Sequence, residues 1–141
     1  MDATVNWVNG MTFLGASNSG HLVPMDTRID LGGNHHAPPP MEIVLIGLGG
    51  CTAMDVVTIL RKSRQQIENC TVQLTAKQSN EPPTVFSAIH LHYVISGHSL
   101  TRERVENAID LSAKKFCSVS IMIEKTAIIS RDFEIIGSVA E

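Results

Sequence analysis

The three cysteines and the histidines are the side chains of this chain best equipped for covalent or metal chemistry. Cys51 closes the run Pro40-Met-Glu-Ile-Val-Leu-Ile-Gly-Leu-Gly-Gly50, so that Gly47, Gly49 and Gly50 crowd in just ahead of a thiol. Each glycine costs a helix about 1 kcal/mol relative to alanine, and three together need a reason, of which close approach of another backbone is the simplest. A thiol in such a place is either packing filler, because free cysteine often behaves as a small buried hydrophobe, or a shaped redox site. Cys117 follows 66 residues later, within Ala113-Lys-Lys-Phe-Cys-Ser-Val-Ser120. Cys70 opens a strand with no partner in sequence and is assigned a structural place. No two of the three have the C-x-x-C spacing of a zinc or thioredoxin motif, and three cysteines do not make a disulfide framework.

His90 and His92 stand two apart in a β-prone segment and therefore share one face of a strand. Two imidazoles so placed could hold a metal in a metal-binding dimer. Catalytic zinc takes three protein ligands and no third is evident, so a polar strand face is the expectation and neither metal nor cofactor is expected. His35-His36 sits in a loop before three prolines, where it could border a redox pocket.

These residues are positioned by a chain that alternates strand-like and helix-like segments. Thr4–Val8, Met11–Ala16 and His21–Arg28 predict three strands, with Asn9-Gly10 as a hairpin turn and Pro24 marking an edge. Leu31–Pro40 is a loop by composition. A central helix is expected from about Pro40 to Arg64, started by proline and an acidic first turn at Glu42 and ended by Arg61, Lys62 and Arg64. From Ile43 to Met54 it carries no charge, which marks a helix buried on all sides. Two more strands follow, Cys70–Ala76 and Val85–Ser96. A helix from Thr101, as N-cap, to about Phe116 has Val105, Ala108, Ile109, Leu111 and Ser112 as its inner stripe, and Cys117–Ile123 adds a short apolar piece. Thr126–Val139 is the last strand. The layout is βββ-α-ββ-α-β, an α+β fold in a single domain, residues 1–141. One small sheet covers one side of a helix only, so the charge-free helix implies a symmetric homodimer with its core at the interface.

A net charge of −3 and 4% aromatic residues argue against nucleic acid as a partner. No signal peptide is visible at Met1-Asp2-Ala3-Thr4, and the uncharged run ending at Asp55 is too short to span a bilayer. A cytoplasmic protein without a membrane partner is the expectation.

The stretch Pro40–Cys51 with Asp55 one turn on resembles the first-cysteine helix of the OsmC/Ohr family, the osmotically induced and organic hydroperoxide resistance proteins. Ala113–Ser120 resembles that family's second-cysteine segment, with Ser118 where the family usually has proline. The resemblance covers nearly the whole chain, including element order, and Phe86–Ser96 with Ser118–Ala127 look most similar to the YhfA-like subgroup. It implies an OsmC-like fold: an intertwined α+β homodimer with central helices paired at the interface. It also implies a thiol peroxidase for organic hydroperoxides, with Cys51 peroxidatic, Cys117 resolving, and a dithiol reductant such as a lipoyl protein. The family pairs its first cysteine with an arginine from the N-terminal β region and a glutamate ten residues before it. Here position 41 is Met41 and Glu42 lies nine before. Nine helical residues rise about 13.5 Å and turn half a circle, so Glu42 could serve only across the dimer and otherwise acts as a helix N-terminal charge. Arg28 is the single arginine ahead of the central helix and the candidate activating cation. The other readings are a dimer of the same fold without peroxidase activity, binding a small apolar ligand or a protein partner, and the metal-binding dimer.

Overall fold

The structure is a computed structural model and describes residues 1–140. It divides into two compact units, Met1–Ile46 and the remainder from Gly47.

In the first unit β1 (Ala3–Asn9), β2 (Thr12–Ser17) and β3 (Leu22–Met25) form an antiparallel meander in the order β1-β2-β3. Gly10 takes φ +52° in the first turn, where the Trp7 indole N–H donates to its carbonyl at 2.8 Å. Pro24 lies on β3, an edge strand, as a residue without an N–H should. The expected third strand, 21–28, stops at Met25 because Asp26 turns inward. Its carboxylate accepts from the backbone N–H groups of Thr27 (2.7 Å), His36 (3.2 Å) and Asn34 (3.4 Å) and from the Thr12 hydroxyl (3.1 Å). That carboxylate organises the loop that leads into α1 (Pro40–Lys62).

In the second unit β4 (Gln66–Gln78), β5 (Phe86–Leu100) and β6 (Ile128–Val139) form a sheet in that order, β4 antiparallel and β6 parallel to β5. A parallel neighbour requires a crossover. It is supplied by α2 (Arg102–Leu111), a wide turn at Ser112–Phe116 and α3 (Ser118–Ile123). Every second residue of β5 is buried, Ile89, Leu91, Tyr93 and Ile95, alongside Leu48, Val56 and Leu60 of α1 and Val105, Ala108 and Ile109 of α2. Gly49 is small for a reason visible within the unit, since a Cβ there would fall 2.7 Å from Leu74 Cδ1. Gly47 and Gly50 face open space.

Three expectations change. The helix expected over 101–116 ends at Leu111: the Cys117 N–H reaches back to the Ser112 carbonyl at 2.8 Å, five residues earlier, and this π-type turn leaves Cys117 extended (φ −76°, ψ 95°) before α3 restarts the helix. Thr101 stands at the N-cap but its side chain caps nothing; its backbone N–H donates to Gln65 Oε1 instead. Within one chain helix α1 is covered along one stripe, as a single sheet allows. Leu48, Gly49, Thr52, Val56 and Leu60 are covered, whereas Ile46 and Met54 are 63% and 73% exposed. By length and composition alone α1 could also cross a bilayer, because Asp55 interrupts the apolar run without ending the helix. Its buried stripe and the hydrogen bonds of Thr52 tie it to β5 and to the wide turn instead.

Burial alone would raise the Asp26 pKa, but the four donors outweigh it and the folded value lies below the ordinary one. A carboxyl lowered in this way contributes stability above its unfolded pKa of about 3.9, and that contribution disappears as pH falls through the folded value. Asp26→Asn is therefore expected to lower the urea midpoint at neutral pH and to shrink the difference between wild type and variant below pH 3. A difference that persists undiminished in acid would show that the carboxylate's charge is not what holds the loop.

Candidate functional site

The two cysteines expected to matter come together within the second unit. Cys51 Sγ, Cys117 Sγ and a carboxylate oxygen of Asp55 lie within 4.8 Å of one another. Cys51 is half-buried on α1, and Cys117 is fully buried between the wide turn and α3. Both thiols are free.

Local backbone geometry explains the pairing. Cys117 is the N-cap of α3, and its sulfur accepts from the Ser120 N–H at 3.4 Å. A helix continuing to Phe116 would put Cys117 at its C-terminal end, among carbonyls that disfavour an anion; the break at Leu111 reverses this, because the thiol faces the start of a new helix. Ser118 occupies the first helical position, where a proline is equally at home since its N–H is not needed there. Helix α1 runs unbroken through Gly49 and Gly50, so Cys51 gains no free N–H from its own helix. The group that favours its thiolate is the backbone amide of Val119, in the first turn of α3.

The electrostatics oppose one another. Burial pushes the Cys51 thiol pKa up, the Val119 N–H pulls it back, and Cys117 together with the Asp55 charge raises it further, leaving it above the usual thiol value.

Behind the thiols runs a buried hydroxyl chain. Ser112 Oγ donates to Asp55 Oδ2 at 3.0 Å, Thr52 Oγ1 lies 2.9 Å from Ser112 Oγ, and Tyr93 OH lies 2.7 Å from Thr52 Oγ1. A hydroxyl has one proton to give. Since Ser112 gives its proton to Asp55, Thr52 must donate to Ser112 and Tyr93 to Thr52. The Arg131 positive charge acts on the Tyr93 hydroxyl, while Arg131 Nη2 donates to Glu124 Oε1 at 2.8 Å. Burial nonetheless raises the Tyr93 pKa, with Thr52 and Arg131 acting against it. Asp55 also borders a depression of about 110 Å³ lined by Thr58, Ile59, Lys62 and Phe116, which gives the carboxylate a side open to solvent.

The remaining expected residues lie elsewhere. Arg28 forms an ion pair with Asp30 in the first unit, and Glu42 stands in the first turn of α1. Cys70 is half-buried on β4, and burial raises its pKa. His90 and His92 share a face of β5, as their spacing predicts, opposite Ser130, Asp132 and Glu134 of β6. Both imidazoles bond to Asp132 Oδ1, at 2.9 and 2.7 Å, and His92 also meets Glu134 at 3.1 Å. Asp55, Ser112, Thr52, Tyr93, Arg131 and the Val119 and Ser120 amides are the site residues that sequence reasoning missed. For Asp55 a signal existed, its place one helical turn after Cys51.

The family model for OsmC-like protein matches residues 32–130. The Escherichia coli K12 protein YhfA is 45% identical over 138 residues, which is 98% of this chain and 100% of that protein. A structural-genomics structure, 43% identical, superposes with TM-score 0.89 and covers 98% of this chain and 100% of its own. The organic hydroperoxide resistance protein OsmC of Legionella pneumophila gives TM-score 0.72 at 16% identity, over 94% of this chain and 95% of that one, which establishes a common fold.

Ser112→Ala leaves Thr52 and Asp55 without their shared partner and is expected to cost about 1–3 kcal/mol of stability by urea denaturation. Asp55→Asn, in a Cys70→Ser background, is expected to shift the alkylation profile of Cys51 toward lower pH, since one source of the raised thiol pKa is removed. A profile left in place would mean that Asp55 does not act on that sulfur.

Proposed function

This chain belongs to the OsmC-like protein family, and on that footing we propose that it is a cysteine-based thiol peroxidase that reduces organic hydroperoxides. The observation that carries the reading is the pairing of two free thiols, one half-buried and one buried, whose sulfurs and the Asp55 carboxylate lie within 4.8 Å of one another. The organic hydroperoxide resistance protein that shares the fold supports the choice of substrate class.

Cys51 loses its proton to Asp55, and its sulfur attacks the terminal oxygen of the hydroperoxide. The O–O bond breaks, sulfur becomes a sulfenic acid, and the alkoxide leaves as alcohol with the proton that Asp55 returns. The amides of Val119 and Ser120 hold negative charge on either sulfur. Cys117 then gives its proton to Asp55 and attacks the sulfenic sulfur; the hydroxyl departs as water and a Cys51–Cys117 disulfide forms. A dithiol, such as a protein-bound dihydrolipoyl group, reduces the disulfide and is itself oxidised. Arg28, paired with Asp30, and Glu42, at the helix start, are not needed to balance any of these steps.

Residues 1–141 act as a single OsmC-like domain in a homodimer, in the cytoplasm, where a dithiol reductant is at hand. The exposed Ile46 and Met54 on α1, with Gly47 and Gly50 facing open space, supply an apolar helix face with room for a second copy of that helix. Gly47→Leu is expected to weaken this dimer, and a wild-type monomer in sedimentation at micromolar concentration would overturn it.

The enzymatic reading is tested by adding one equivalent of cumene hydroperoxide to reduced protein in the Cys70→Ser background. Two thiols per chain should disappear and mass spectrometry should find Cys51 linked to Cys117. Cys51→Ser should consume no peroxide, and Cys117→Ser should stop at a sulfenic acid trapped by dimedone. Undiminished consumption by Cys51→Ser, or inert wild type, would sink the proposal.

A further inference from the structure

The three atoms at the centre of this site also form a ligand set. Two thiols and one carboxylate within 4.8 Å of one another match the donor types and number that a zinc-class cation takes from a protein when a fourth position stays open. Metal–sulfur bonds of about 2.3 Å place tetrahedral donors about 3.8 Å apart, so closing on an ion contracts the set by no more than about 1 Å. We propose that the reduced protein binds one zinc-class divalent cation through Cys51 Sγ, Cys117 Sγ and Asp55, as a state distinct from the disulfide.

Three observations favour a metal here over an accidental cluster. The Cys117 sulfur already accepts the Ser120 N–H at 3.4 Å and the Val119 amide favours the Cys51 thiolate, which offsets the charge that a coordinated thiolate keeps. The carboxylate is held by Ser112, itself fixed by Thr52 and Tyr93, which is the outer-shell support that ligands need to keep their orientation. The site has one open side, because Cys51 is half-exposed and Asp55 borders the depression lined by Thr58, Lys62 and Phe116, so a water can fill the fourth position.

Chemistry selects the ion. Two thiolates favour zinc, cadmium or cobalt(II) over magnesium or calcium, which prefer oxygen. Binding releases the two thiol protons: two S–H bonds break, two metal–sulfur bonds form, and no electrons move. Once Cys51 and Cys117 are joined as a disulfide, neither sulfur is a thiolate and the ion has no anchor. Metal-loaded and disulfide forms therefore exclude one another, and metal protects the dithiol from oxidation. The other cluster of ligating residues, His90, His92 and Asp132, already satisfies its ring nitrogens with Ser130, Asp132 and Glu134.

The inference does not depend on peroxidase activity, and its test does not use it. Full-length protein, reduced and freed of metal by a chelator, is titrated with cobalt(II). A thiolate-to-cobalt charge-transfer band saturating at one ion per chain is expected, displaced by zinc. Cys51→Ser, Cys117→Ser and wild type alkylated with iodoacetamide should all lose the band, and the alkylated sample settles the matter should either variant fail to fold. Ser112→Ala should lower zinc affinity about 10- to 100-fold, and His90→Ala with His92→Ala should leave it unchanged. Absence of the band in reduced wild type, or its survival in alkylated protein, would overturn the proposal, as would its loss in the histidine variant.

Discussion

The structure depends on the hydrogen bonds that Thr52 makes across the second unit. Thr52 is the residue after Cys51, and it joins Tyr93 on the central strand to Ser112, where the helical crossover widens. The position of Cys51 relative to β5 and the position of the turn that delivers Cys117 are thus fixed by one buried hydroxyl. Hydrophobic burial sets α1 against the sheet through Leu48, Val56 and Leu60, but apolar contact is non-directional and would tolerate a small rotation of the helix. Hydrogen bonds of 2.7 and 2.9 Å would not. The separation of the two sulfurs follows from that rigidity.

The same network carries an electrostatic order. Asp55 stands at the accepting end, and Tyr93, Thr52 and Ser112 each direct one proton toward it. Chains of this kind polarise each member in one direction. The arrangement has a cost: the Arg131 Nε is buried and has no partner, although its Nη2 is held by Glu124. An isolated buried guanidinium nitrogen is a destabilising feature, and here it accompanies a cation held at 16% side-chain exposure beside a buried tyrosine. The carboxylate near the thiols is held by the neutral Ser112 hydroxyl, whereas Arg131 pairs with Glu124. That is consistent with the raised pKa of Cys51.

What the sequence made legible was whatever local periodicity encodes. The order of elements along the chain, the central helix, the alternation along β5 and the shared face of His90 and His92 all follow from side-chain period, and the OsmC-like resemblance rested on two cysteine segments that the fold brings together. The missing parts depend on residues that meet at long range. Thr52 and Tyr93 are 41 residues apart and Thr52 and Ser112 are 60 apart, and no spacing rule links them. Ser112 fits the inner stripe of a continuing helix so well that its period conceals the change of turn. That hidden break also inverted the reading of Cys117, since the polarity of a helix end depends on which side of the break the residue falls.

The charge-free stretch of α1 raises a further point about where one chain's information ends. Its sequence specifies a helix apolar on every side, and one chain covers only the stripe from Leu48 to Leu60. The glycines divide along the same line: Gly49 is filled by Leu74 from the sheet, whereas Gly47 and Gly50 face open space. A glycine left in open space on an apolar helix gains nothing within the chain and still carries its propensity cost of about 1 kcal/mol. The first unit has the same imbalance, with Trp7 on a fully exposed β1. Both units therefore carry apolar surface that their own residues do not use, and Cys51 lies on the helix that carries Ile46 and Met54. In the proposed homodimer the copy that covers α1 also sets how much water reaches Cys51, which would couple assembly to thiol chemistry through a single helix face.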